Sequence, residues 1–523
     1  MHRRSARAAV VAVCAAATFA VAGCGGGGGS SSTESTTGQA PDTPASQASQ
    51  GGVLHFALET SPSTLDPSQM TERPAIIITN QYAEALFESA EGGKVVPLLA
   101  ESSELSGDGK TLTITLRSDV KFSNGQPMTS KDVAFSLEKM RKSPVNGTLY
   151  EAITKVSTPD PSTVVIDLKS VSPGMLAVLA NYSSDIIPAN YGGQSQKQFA
   201  QSPIGTGPYA VSGQHGQEVT LVPNKFYSGK ATPHFEEMVF SVAADENTRL
   251  QQLRSGELQM STATLLGTKT GLPPGSGVKV ETTPQKMVTF ILLNQDSPAL
   301  KDQRMREAVN LAIDRQGIIA TGTDGQGEEG LSYMPPTQNY FQDVKPPATD
   351  AEKAEALVKE ATADGVKPEF EIWYGATDPY QRQAVQIIQQ NLEAIGITVK
   401  LETLDEATLI ELCETGEYDS MISFYNANLV DPEGLTKFYL SFFAPGAGQN
   451  VDALNKLSEA AAVETDESKR EQLYVELQED MIEEEGLLVL NYQPEAFAVS
   501  EEVTGVEFDG AGNMFLRNAG FSE

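Results

Sequence analysis

Residues able to do chemistry are sparse and scattered in this chain. Four histidines, His2, His55, His215 and His234, stand singly, so no protein-only zinc or nickel cage is expected. Of three cysteines, Cys14 and Cys24 lie near the N-terminus and Cys413 is alone, which excludes a disulfide framework. Cys413 reads as a small residue on a half-buried helix, because nothing near it in sequence would activate a thiolate. No Ser/His/Asp spacing, His/Glu metal pair or nucleophile elbow is visible. With 69 Asp and Glu residues, a carboxylate pair suited to glycoside hydrolysis is expected by chance alone. What remains is chemistry without bond making: amides that donate and accept, and aromatic faces that stack. Such residues gather at the ends of strands. The run 425–433, Tyr-Asn-Ala-Asn-Leu-Val-Asp-Pro-Glu, follows a strand expected over 418–425, and loops at strand C-termini of open α/β sheets face ligand crevices. Tyr425, Asn426 and Asn428 are candidates there, Asn428 being equally suited to capping a turn. Trp373, the one tryptophan, and Tyr374 end a second strand, as stacking surfaces or as core. Asn491 and Tyr492 close a third, and Tyr492 offers both a hydrogen-bond donor and an apolar face.

The elements that must hold these residues are legible from periodicity. Over 97–140, Leu112, Ile114 and Leu116 alternate with threonines, the period of a strand with one buried face. Residues 120–122 read as a second short strand closed by Asn124-Gly125. Thr129 then offers an N-cap with Asp132 in capping-box position, and Val133, Leu137 and Met140 recur at helical spacing. Strands are expected over 53–58, 163–168, 287–293, 370–374, 397–402 and 487–491. Helices are expected over 75–86, 247–258, 302–315, 351–363, 380–395, 454–464 and 468–485. The strand–helix–strand order from 370 to 402 suits a parallel pair.

At 523 residues the chain is too long for one core, so two or more lobes are expected. The formal charge of −32 argues against nucleic acid as a partner and reads as solubility. Residues 1–23 have a basic start, an apolar run over 8–22 and small residues before Cys24, the pattern of an export signal too short to span a membrane. Val21-Ala22-Gly23-Cys24 resembles a lipobox, in which Cys24 is diacylated and becomes the mature N-terminus; an ordinary cleaved signal is the alternative. The Gly-, Ser- and Thr-rich segment 24–51 has the composition of a flexible tether.

Several stretches resemble the family 5 solute-binding proteins of ABC importers, the oligopeptide-, dipeptide- and nickel-binding class. They are 97–140, Pro203-Ile204-Gly205-Thr206-Gly207-Pro208-Tyr209, Asn224-Lys225-Phe226-Tyr227, 247–258 (with Gln259 where the family usually has Asp) and 302–315. The resemblance implies an α/β, two-lobed, periplasmic-binding-protein-like fold (type II, cluster C) with an extra domain inserted in the first lobe. Lobe I is expected over 52–82, 185–285 and 490–523, the inserted domain II over 83–184, and lobe II (domain III) over 286–489. Crossings near 285 and 490 join the lobes, which shut on a solute by hinge closure. Ligand-facing residues implied are Thr71, Glu72, Tyr425, Asn426, Asn428, Asn491 and Tyr492, with Trp373 and Tyr374 beside them. In peptide-binding relatives an Asp at the position of Asn428 receives the peptide's α-amino group. An amide cannot supply that charge-assisted bond, which turns the expectation toward a blocked peptide or an uncharged oligosaccharide. The partners implied are a small solute, peptide by family default, an ABC permease and, through lipid on Cys24, the membrane; no cofactor is implied and a monomer is expected. A surface sensor on the same fold is a further reading.

Overall fold

The computed structural model describes residues 48–375, 378–442 and 451–522. The leader, Cys24 and nearly all of the tether lie outside them. Pro44–Glu523 forms one compact unit, built on three main sheets.

The largest has seven strands in the order Val278–Thr282, Ala496–Ser500, Met260–Ala263, Val53–Leu58, Glu237–Val242, Glu218–Pro223 and Tyr209–His215. Val53–Leu58 lies at its centre, parallel to both neighbours. Its run Phe56-Ala57-Leu58 is buried on both faces, as a central parallel strand requires. The C-terminal segment packs back on this sheet: Val503, Met514, Leu516 and Ala519 share an apolar cluster with Leu54, Phe56 and Tyr82.

The second sheet has five strands in the order Thr398–Leu404, Glu369–Gly375, Ser420–Asn426, Met287–Leu293 and Leu487–Gln493. Glu369–Gly375 and Thr398–Leu404 pair in parallel around the helix Pro379–Ala394, as the strand–helix–strand spacing requires. Helices Gln303–Ala312, Ala351–Ala363 and Pro379–Ala394 cover one face through Met305, Val309, Val358, Val385 and Ile388. Tyr439, Leu454, Tyr474 and Leu477 cover the other. The third sheet, four antiparallel strands, carries Thr111–Leu116 with alternate residues buried and packs against the helix Ser130–Arg141. Thr129 and Asp132 form the expected capping box. Residues 120–122 differ from expectation. They make only the isolated bridge Lys121–Pro127, because the turn at Gly125 (φ 84°) folds the chain back too soon for a ladder.

The helix expected over 75–86 is Arg73–Tyr82. It stops early because the carbonyl of Tyr82 receives the amide of Gly207 at 2.9 Å. A Cβ on Gly207 would stand 2.6 Å from the Tyr82 carbonyl carbon, and one on Gly205 would collide with the Tyr82 oxygen. The glycines of the 203–209 motif therefore serve close backbone approach.

Two short segments connect the seven- and five-stranded sheets: 283–286, leading into Met287–Leu293, and 494–495, leading from Leu487–Gln493 into Ala496–Ser500. They are pinned together. Thr283 N donates to Glu495 O at 3.0 Å, and Glu495 N donates to Thr283 Oγ1 at 2.9 Å. Side by side, two such strands make a natural hinge.

Candidate functional site

Beside these crossings lies a cavity of about 50 Å³ with walls from both sheets' elements. The helix Arg73–Tyr82 supplies Arg73 and Asn80, and the loop before it supplies Thr71. The end of strand Ser420–Asn426 and its following loop supply Asn426 and Asn428. Lys286 and Glu495 come from the crossings themselves, while Phe497, Asn513 and Met514 complete the first-sheet side. A cavity this size holds a few waters and is far smaller than a ligand pocket of ordinary volume.

The charges at the base are already paired. Lys286, only 5% exposed, donates to Gly512 O at 3.1 Å and stands 3.2 Å from Glu495 Oε2. Burial pushes the Glu495 carboxyl up, but Lys286 and then Arg73 outweigh it and hold the group below its ordinary value, hence ionised. Arg73 Nη2 donates to Ala496 O at 2.9 Å, and its guanidinium lies 4.6 Å over the Phe497 ring. Two buried polar atoms on this wall lack a hydrogen bond: Arg73 Nε, which is ion-paired with Glu495 Oε1 at 3.9 Å, and Asn426 Oδ1. An unmade bond at a buried site costs about 1–3 kcal/mol.

The loop carrying Asn426 and Asn428 is fastened behind the cavity. Ala427 N donates to Lys286 O at 2.9 Å, and Asn339 N to Val430 O at 2.8 Å. Asp431 takes both Nη atoms of Arg470, at 2.7 and 3.1 Å, with both side chains almost wholly buried. Contacts across the opening hold the two sides together. Asn181 Nδ2 donates to Asn428 O at 2.8 Å, Asn339 Nδ2 to Gly93 O at 3.4 Å, and Ala177, Val430 and Ala511 form one small apolar cluster.

Of the residues singled out from sequence, Thr71, Asn426 and Asn428 meet at this cavity. Glu72 adjoins it but turns back: Oε1 accepts from Ser63 N at 2.7 Å and Ser63 Oγ at 2.5 Å, which overrides burial and lowers its pKa. Tyr425 packs on Phe438 and Tyr439, ring centroids 5.0 and 6.0 Å away. Burial pushes its phenol up to about 12. Trp373 and Tyr374 are half-buried against opposite apolar clusters of the five-stranded sheet. Asn491 and Tyr492 are buried within that lobe. Asn491 Oδ1 accepts from Tyr380 at 2.5 Å, and the Tyr492 hydroxyl donates to Ser332 O at 2.7 Å with Phe341 edge-on at 5.6 Å. These last six do not line the cavity. Arg73, Lys286 and Glu495 were missed. One local signal pointed to Arg73: it opens a helix, where the macrodipole disfavours a cation by about 0.3–1 kcal/mol. Among the described residues no group of His, Cys, Asp or Glu is placed to hold a metal ion, and no helix is long and apolar enough to cross a membrane.

Comparison with known proteins places this geometry. Residues 94–446 match the family described as bacterial extracellular solute-binding proteins, family 5 Middle. A dipeptide-binding protein of Pseudomonas aeruginosa is 27% identical over 519 residues, covering 91% of this chain and 95% of the relative. The ABC transporter substrate-binding protein CtaP of Listeria monocytogenes superposes with a TM-score of 0.81 at 25% identity, covering 91% of this chain and all of CtaP. A dipeptide-binding protein of Pseudoalteromonas in complex with Met-Leu gives a TM-score of 0.75 at 22% identity, over 90% of this chain and 100% of that one, a likeness of fold.

Proposed function

Because the chain belongs to the bacterial extracellular solute-binding proteins of family 5, we propose that it traps a peptide or similar small solute between two lobes and hands it to an ABC permease. The observation that carries this reading is the cavity at the crossings, lined by polar and apolar side chains from both sides and too small to admit a solute without opening. The peptide class is supported by the Pseudomonas relative, named for dipeptides, and by the Met-Leu complex of the Pseudoalteromonas protein. Lobe I is 52–82, 185–285 and 490–523, domain II is 83–184 and lobe II is 286–489; the separate apolar clusters of the three main sheets support this division. Thr71, Asn426 and Asn428 touch the solute. Glu72 and Tyr425 shape the mouth, while Trp373, Tyr374, Asn491 and Tyr492 stiffen the second lobe's wall. Capture is non-covalent and involves no turnover. Upstream, Cys24 carries lipid and 24–51 is the tether, which keeps a monomeric receptor at the membrane outside the cytoplasm.

The mature protein, incubated with a pool of di- and tripeptides, is expected to retain a bound member in native mass spectrometry and to compact in small-angle scattering. If no peptide does both, the capture reading falls. Cys24→Ser is expected to release the protein from the membrane fraction, and continued retention would sink the anchor.

A further inference from the structure

Two buried atoms of the cleft without a hydrogen bond stand on opposite lobes. Arg73 Nε, a donor, is on the helix packed against the seven-stranded sheet, and Asn426 Oδ1, an acceptor, ends a strand of the five-stranded one. Neighbouring polar groups are already used. Asn80 Nδ2 donates to Met514 O at 3.4 Å, Asn513 Nδ2 to Asp509 Oδ2 at 2.9 Å, and Lys286 is shared between Gly512 O and Glu495. Among the buried atoms of this wall, one donor on one lobe and one acceptor on the other lack a hydrogen bond.

We infer, resting on the solute-capture reading, that this pair clamps a single secondary amide of the solute. Its carbonyl accepts from Arg73 Nε–H and its N–H donates to Asn426 Oδ1. The chemistry discriminates against charge at this point. A carboxylate satisfies Arg73 but turns lone pairs onto Asn426 Oδ1. An ammonium satisfies Asn426 Oδ1 but has no acceptor to offer the Arg73 Nε–H. A neutral amide alone of the three presents the acceptor and the donor on its two edges. Because the partners belong to different lobes, both bonds form together only in the closed state, so recognition of the amide favours closure.

The test is calorimetric titration with N-acetyl-trialanine amide and analogues in which one backbone amide at a time is replaced by an ester, which removes the N–H. The wild-type protein is expected to lose about tenfold in affinity at one position and little at the others. Asn426→Leu is expected to bind amide and ester at that position equally. Asn426→Asp, which keeps the acceptor in the same shape, retains the preference and shows that the site still folds. Arg73→Met weakens amide and ester alike. Wild-type indifference to the ester at every position overturns the clamp while leaving capture standing, as does an ester preference that survives Asn426→Leu. Binding of no peptide, amide or ester, overturns the clamp together with the peptide reading.

Discussion

Replacing Arg470 by Met removes the guanidinium that holds the loop after strand Ser420–Asn426 from behind. The pair is closed: Nη1 meets Asp431 Oδ2 at 2.7 Å, Nη2 meets Oδ1 at 3.1 Å, and the two side chains are 5% and 7% exposed. Arg470 Nε also donates to Ala461 O at 3.0 Å, and the guanidinium lies 5.6 and 5.3 Å from the Tyr340 and Tyr474 rings. Burial pulls the guanidinium's pKa down and Asp431 more than reverses it, so the net shift is upward. Without Arg470, Asp431 stays buried with the amide of Glu433, 3.0 Å away, and no countercharge. Breaking a buried pair from one side costs about 3–5 kcal/mol. At a urea dependence of about 2 kcal/mol per molar, the unfolding midpoint should fall by roughly 2 M. Trp373, the single tryptophan, sits in the five-stranded sheet and reports that lobe in a fluorescence titration. Adding Asp431→Asn should recover part of the loss, because a buried amide costs only about 1–3 kcal/mol to leave unpaired. A midpoint shift below about 0.5 M, or double-mutant losses that simply add, would refute the claim that this pair fastens the loop.

Three further outcomes are expected. Burial raises the Glu84 carboxyl from 4.5 to about 7 and the Asp509 carboxyl from 3.8 to about 6. Because folded values exceed unfolded ones, their contribution to stability is full below the unfolded values and is lost as pH rises through about 7. The melting temperature should therefore fall between pH 4.5 and 7.5, and Glu84→Gln should flatten that slope; an unchanged slope counts against burial as its cause. Gly205→Ala and Gly207→Ala each drive a methyl into the Tyr82 carbonyl and should cost at least about 1–3 kcal/mol in urea unfolding. Asn181→Ala removes the 2.8 Å bond to Asn428 O across the opening. It should weaken solute affinity by about 0.5–1.5 kcal/mol and make the protein more open in scattering, and, because Asn181 Oδ1 also accepts from Ser183 N and Oγ at 3.0 and 2.8 Å, lower the unfolding midpoint as well.

Legibility followed the range of the forces involved. The strand at 111–116, the Thr129–Asp132 capping box and the parallel strand–helix–strand unit read straight from the chain, because alternation, capping and turn chemistry act over a few residues. Asn426 and Asn428 were visible as cleft candidates for a related reason, since they follow the C-terminal end of a sheet strand. Tyr492 and Asn491 looked the same in one dimension, yet their side chains face the interior of their own lobe. Adjacent in one strand, they point to opposite faces, and both faces are covered inside the lobe, which the pattern of neighbours alone did not settle.

Composition, periodicity and motif order thus determined the family and the α/β class. Tertiary structure alone decided how the cleft's charges are used. Arg73 meets Ala496 across 423 positions, and Lys286 meets Gly512 across 226. Which polar atoms are spent and which stay free depends on partners brought together only by folding, because a hydrogen bond is decided within about 3 Å of space and not by proximity along the chain.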